Sequence, residues 1–166
     1  MIAMVIGNGL SSPAQAAPSQ ISPRPERFVT FQLGEAHYAI QAAMVAEVSE
    51  ILPLTPLPGA PAALLGISPL RGEIVANVDL RGMLGEKPQK STNPKAKEVV
   101  LSRTAPGATP LVFAVDRLGE IVTIDISKIE STQDRSDALI GEVAYDNRSL
   151  KVIDHRKVLA TIDPES

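Results

Sequence analysis

At 166 residues, 44% apolar and 21% charged, the chain has the size of one globular domain, or of two very small ones sharing a core. A net charge of −3 argues against a nucleic-acid surface, which needs clustered Lys and Arg, and aromatics at 3% with no Trp leave few platforms for stacking bases or sugar rings. The absence of Cys removes disulfides, thiolate nucleophiles and thiolate metal sites and favours a cytoplasmic setting, and no apolar run approaches the roughly 20 residues of a membrane helix.

The first 23 residues carry no charge and hold Pro13, Pro18 and Pro23 among Ala, Ser, Gln and Gly. Residues 1–6 are apolar and Ala14-Gln15-Ala16 resembles a cleavage site, but no Lys or Arg precedes Arg24, and Gly7, Asn8 and Gly9 break the run early. A disordered leader over 1–26, unable to bury enough apolar surface to order itself, is the expectation. From Phe28 the texture becomes β-rich. "FVTFQL" and "HYAI", separated by Gly34-Glu35, read as a hairpin. In "AAMVAEVSEIL", Ala42, Val45, Val48 and Leu52 recur at helical spacing and predict a short helix or helical turn. Pro53, Pro56, Pro58 and Pro61 then fix an extended connector.

"EIVANVDL" (73–80) returns to alternation, with Ile74, Ala76 and Val78 on one face, and "DLRGMLG" reads as a helical turn closed by Gly85. The polar stretch 86–97, with Lys87, Lys90, Lys95 and Lys97, is a surface loop and the natural place to divide the chain into halves. Beyond it come "EVVLSR", a Pro-Gly turn at 106–107, "LVFAVDRL", "EIVTIDI", "GEVAYD" and "SLKVID", with Asp146-Asn147-Arg148 offering hairpin chemistry between the last two. "HRKVLATI" closes as a short amphipathic helix, and 162–166 reads as a flexible tail. Many short strands and few helices predict an all-β barrel or sandwich. An internal echo favours two similar subdomains: aliphatic-Asp-x-Arg-x-x-Leu occurs at Val78-Asp79 and again, 75 residues on, at Ile153-Asp154.

Catalysis finds no good candidate. Asp79 and Asp154 could be imagined as a carboxylate dyad, but each sits where a strand passes into a helical turn, the place of an N-cap. His37 and His155 without Cys make a poor metal kit, and Ser149, Asp154 and His155 lack a nucleophile elbow. Gly82 to Lys87 lacks the phosphate-loop spacing. Recognition is the remaining class. Val45 and Val48 are either core or the floor of a groove for a partner helix. Arg71, before Gly72 at a turn, is either an intramolecular ion-pair partner or a planar fork for a partner's carboxylate.

Taken in order, "FVTFQLGEAHYAIQAAMVAEV", "TPLPGAP", "LLGISPLRGEIVANVDLR", "LVFAVDRLGEIVTI" and "YDNRSLKVIDHRKVL" resemble the CheW family of chemotaxis coupling proteins over residues 26–161. The Gly-x-x-x-Leu-Arg-Gly-x-Ile-Val stretch followed by Val-Asp-Leu-Arg is the most specific element. The resemblance implies an all-β fold over 27–161: two interlocked five-stranded SH3-like β-barrels, with short helices after the first hairpin and at the C-terminus. It implies a non-enzymatic adaptor, without cofactor or metal, that links the cytoplasmic tip of methyl-accepting chemoreceptors to the regulatory domain of a CheA-type histidine kinase. Self-association in array rings and recruitment to membrane receptors from the cytoplasm, without insertion, follow from the same resemblance. Carried over by position, Ala42, Val45 and Val48 line the receptor groove and Arg71 is a polar contact beside it. The chain departs from the family in having Pro69 where Asn is usual before Leu-Arg-Gly, Ala76-Asn77 where Pro often follows Ile-Val, and a small Ala42. A coupling protein of a type IV pilus pathway, or a stand-alone kinase-regulatory barrel that binds no receptor, is the alternative.

Overall fold

Among the described residues ten strands are threaded so that the first two and the last three share one barrel. The computed structural model describes residues 22–87, 94–103, 105–133 and 136–162. Most of the expected leader, part of the 86–97 loop and most of the tail therefore lie outside the described residues. The strands are β1 (Pro25–Leu33), β2 (Ala36–Gln41), β3 (Val45–Ser49), β4 (Leu64–Leu70), β5 (Glu73–Val78), β6 (Lys97–Leu101), β7 (Leu111–Val115), β8 (Arg117–Asp125), β9 (Leu139–Tyr145) and β10 (Arg148–Ile153). Among the described residues two helices, α1 (Leu80–Met83) and α2 (His155–Ile162), follow β5 and β10, and 3₁₀ turns cover Ala42–Met44 and Ile126–Lys128. β1 starts at Pro25, so residues 25 and 26, read as leader, belong to the sheet, opposite Asp125 and Ile124 of β8.

The sheets have the orders β9-β10-β2-β1-β8 and β3-β6-β7-β5-β4. We call them the terminal and the middle barrel. Each consists of two antiparallel pairs joined by one parallel contact, β10 with β2 and β5 with β7, plus a fifth strand outside. A single bridge closes each ring. Thr55 exchanges backbone hydrogen bonds with Ile67 on β4, and Glu130 does so with Glu142 on β9. The 86–97 loop is therefore no boundary between halves. It connects α1 to β6 inside the middle barrel, because the first two strands complete the barrel that the last three begin.

The 75-residue echo runs through this geometry. The bridges 55–67 and 130–142 stand 75 apart, as do the register shifts ending at Gly66 and Gly141. At both glycines a Cβ would collide with the bridging carbonyl oxygen, of Thr55 or of Glu130, which is why side chains are missing there. The two-residue turns match as well: Arg71 and Gly72 have φ of 52° and 81°, and Asp146 and Asn147 have 49° and 61°, the left-handed pair that the twist of a tight hairpin demands. The first hairpin turns with positive φ at Gly34 alone.

Most strands are apolar on both faces because each works for two cores. Val29, Phe31, Tyr38, Val99 and Phe113 point between the barrels into a shared core, while alternate residues such as Phe28, Ala39, Val100 and Val112 fill the barrel interiors. Three of the five aromatics meet at the junction: the Phe31 ring lies 5.6 Å from Tyr38 and 5.5 Å from Phe113. Tyr38 keeps its polar tip satisfied by donating to Glu86 Oε1 at 2.8 Å. On β5, Ala76 and Val78 form wall as expected, but Ile74 is 53% exposed, since it lies beside the turn, beyond the shared core.

Candidate functional site

The motif aliphatic-Asp-x-Arg resolves into two capping groups and a staple. Asp79 Oδ1 accepts from the Gly82 N–H at 2.9 Å, and Asp154 Oδ1 from the Arg156 N–H at 3.1 Å. Each carboxylate is spent on its own helix start, which removes the dyad. Arg81 forms an ion pair with Asp116, whose other oxygen accepts from the Gly34 N–H at 2.6 Å. The helix of the middle barrel is thereby tied to the first hairpin of the terminal barrel. The motif at 78–81 and the Val-Asp at 115–116 were both visible in the sequence, but nothing local pairs them across 35 residues. Among the described residues no three His, Asp or Glu side chains gather as a metal-ligating set. Burial, followed by the nearby Arg148, holds His37 below the usual imidazole range. Burial also lowers His155, with Asp154 opposing and Arg156 assisting.

The segment expected to be a short helix or helical turn opens with a 3₁₀ turn and then becomes a strand. After the 3₁₀ turn of Ala42–Met44 the chain extends as β3, with Val45 opposite Leu101 and Val48 opposite Val99 of β6. Helical spacing misled because β-branched residues three apart suit either form, and the deciding partner strand lies some fifty residues downstream. The consequence is a division of labour. Ala42 and Val45 turn inward and pack against the shared core, whereas Val48 faces out and is 36% exposed. The outward row continues along the connector as Ile51, Leu54 and Leu57, all exposed, and these were not singled out from the sequence.

Arg71 occupies the first central position of the β4–β5 turn, a left-handed conformation uncommon outside Gly, Asn and Asp. Its Nη2 lies 3.0 Å from Glu47 Oε1, one residue before Val48, while its side chain stays 76% exposed. No donor is aligned on that oxygen among the described residues, so the contact is an electrostatic tether rather than a directed hydrogen bond. The tether leans the guanidinium over β3, and most of its donors have no partner among the described residues. Pro69 does not disturb this turn. The closing pair is Leu70 with Glu73, and Pro69 sits at the next pair, opposite Ile74. Its nitrogen points to the side where Ile67 N meets Thr55 O, away from β5, so no bond to the neighbouring strand is lost.

A hollow of about 390 Å³ opens on the terminal barrel, lined by Gln32, His37, Arg117, Tyr145 and Arg148 among others. It lies on the opposite barrel from Val48 and Arg71. The face holding those two is open and mixed, with aliphatic side chains beside one tethered cation.

A family model described as "CheW-like domain" matches residues 27–163. A probable chemotaxis protein CheW of Rhizobium etli is 29% identical over 131 residues, covering 78% of this chain and 79% of the relative. The chemotaxis protein CheW of Bacillus subtilis is 26% identical over 139 residues, with 81% and 86% covered. Among solved structures, the scaffolding protein TtCheW from Thermoanaerobacter tengcongensis superposes with a TM-score of 0.69 at 24% identity, covering 79% of this chain and 90% of that one, a likeness of fold.

Proposed function

The chain belongs to the CheW-like domain family, and from that premise we propose that it is the adaptor of a chemosensory array, tying receptor tips to a CheA-type histidine kinase through binding alone. It is no enzyme: its effect is a binding free energy that biases a kinase. The cytoplasmic hairpin tip of a methyl-accepting chemoreceptor lies along β3 and the connector, with Val48 against its apolar stripe and Arg71 reaching a carboxylate at its edge. Recruitment runs from the cytoplasm, and among the described residues no helix is long and apolar enough to cross a membrane.

The observation that carries this reading is the pairing of outward Val48 with the Glu47-tethered Arg71 on adjoining elements. Apolar contact supplies affinity to an amphipathic helix, and the planar cation sets its register. The test is co-sedimentation of cognate kinase with receptor-bearing membranes. The kinase is expected to pellet only when this protein is added, and a kinase that pellets equally without it, or a protein that stays in the supernatant, defeats the proposal.

A further inference from the structure

The two barrels repeat each other in backbone, but not in their side chains. The middle barrel buries the polar residues Ser68, Asn77 and Glu98, whereas the terminal barrel holds Phe28, Val143 and Val152. At the turn end the contrast is reversed. There each of the five strands of the terminal barrel contributes one residue to a single polar level. Tyr145 on β9 pairs with Arg148 on β10, His37 on β2 with Gln32 on β1, and Gln32 with Arg117 on β8. Leu150, two places beyond Arg148 on the same face, lies beside His37 and joins the two groups into one ring.

These five residues line the hollow of about 390 Å³, and so do Val122 and Leu150 of the barrel core, which give it an apolar floor. β8 leaves this space where its register slips between Val29 and Phe31. It passes Thr30 with Gly119, at which a Cβ would collide with Thr30 Oγ1. The matching pair of the middle barrel, Leu70 with Glu73, is already engaged: Leu70 packs against that barrel's core, and Glu73 pairs with Arg103.

The terminal ring holds donors in excess. Gln32 Nε2 lies 3.1 Å from His37 Nε2, and Arg148 Nη1 lies 3.5 Å from His37 Nδ1. Both neighbouring nitrogens can only donate, while a neutral imidazole has a single acceptor nitrogen. Glu120 and Asp146 also line the hollow, yet neither Arg117 nor Arg148 forms an ion pair among the described residues. Two guanidinium groups above an apolar floor call for a ligand that is anionic at one end and apolar at the other.

We propose that the mouth of the terminal barrel is a binding site for a small organic carboxylate with an apolar body, its carboxylate held by Arg117 and Arg148 and its body resting on Val122 and Leu150. A guanidinium presents paired donors that match a carboxylate, and the hollow has the size of a small-molecule pocket. The site lies on the opposite barrel from Val48 and Arg71, so it stands or falls independently of the docking reading.

Proton–nitrogen correlation NMR of the full chain, titrated with sodium benzoate, tests this. The amides of Gln32, His37, Leu118 and Arg148 are expected to shift saturably, with a dissociation constant of about 1 mM or below. Arg117 and Arg148 are exposed, so Arg117→Gln and Arg148→Gln should keep the fold while each weakens binding about fivefold or more. Arg27→Gln, an exposed position outside the hollow, should bind as the wild type does. Benzyl alcohol, which keeps the body without the charge, and inorganic phosphate, which keeps charge without the body, should each bind at least about tenfold more weakly. Several results overturn the site: no saturable shift at those amides, wild-type affinity in either hollow variant, an equal loss in Arg27→Gln, or benzyl alcohol or phosphate matching benzoate.

Discussion

Replacing Arg81 with Ala strands Asp116 at the seam between the barrels. The two side chains are 12% and 15% exposed, so the pair is largely desolvated. Breaking such a pair typically costs about 3–5 kcal/mol, because the remaining charge stays buried. Asp116 retains the Gly34 N–H and some solvent, which reduces the expected loss to about 2–3 kcal/mol. For a chain of this size that is a fall in Tm of roughly 6–10 °C. Denaturant unfolding of Arg81→Ala, Asp116→Asn and the double variant should give a coupling energy above ~1 kcal/mol. A loss below ~0.5 kcal/mol in Arg81→Ala, or a coupling near zero, would refute the reasoning that this motif arginine staples one barrel to the other.

Three further outcomes are expected. Asp79→Ala and Asp154→Ala should each cost about 1 kcal/mol by calorimetry, additively, as separate helix caps; coupling between them would revive the dyad. Gly66→Ala and Gly141→Ala should each cost roughly 2–4 kcal/mol or prevent folding, since the new methyl meets a bridging carbonyl, and a neutral variant at either site would contradict the closed-ring geometry. Glu98 has a folded pKa raised above its unfolded value, so its penalty is full at neutral pH and lifts as pH falls through that raised value. His37 and His155, both lowered, act oppositely, losing stability as pH falls below about 6.5. Unfolding free energies of wild type and Glu98→Gln at about pH 7.5 and 5.5 isolate the first effect: the variant's advantage should shrink at the lower pH, and a constant difference would contradict it.

Local chemistry was legible in the sequence, and long-range pairing was not. The turns at Gly34, Asp146-Asn147 and Pro106-Gly107 declare themselves through residues that tolerate positive φ or preset a bend, and the Asp caps through their place before a helical turn. The echo of Asp79 in Asp154 announced two like subdomains, but not that the first two strands belong with the last three. That exchange is decided by parallel contacts between distant segments. β3 was misread for the same reason, as its pairing with β6 leaves no trace in its own periodicity. Glu98 carried no signal at all, because a lone Glu before two valines reads as a strand's polar face until the strand proves buried on both sides. Of the docking residues expected, the fold turns Ala42 and Val45 inward and leaves Val48 and Arg71 exposed.

Calorimetric titration of a receptor-tip helical hairpin into wild type, Val48→Asp, Arg71→Glu and Ile121→Asp tests the central claim most directly. All three positions are exposed, so the folds should survive, and Ile121 places the same kind of lesion on the terminal barrel. The docking face predicts a loss of about tenfold or more in affinity for Val48→Asp and Arg71→Glu, with Ile121→Asp near wild type. Wild-type affinity in both of the first two variants, or an equal loss in all three, would contradict it.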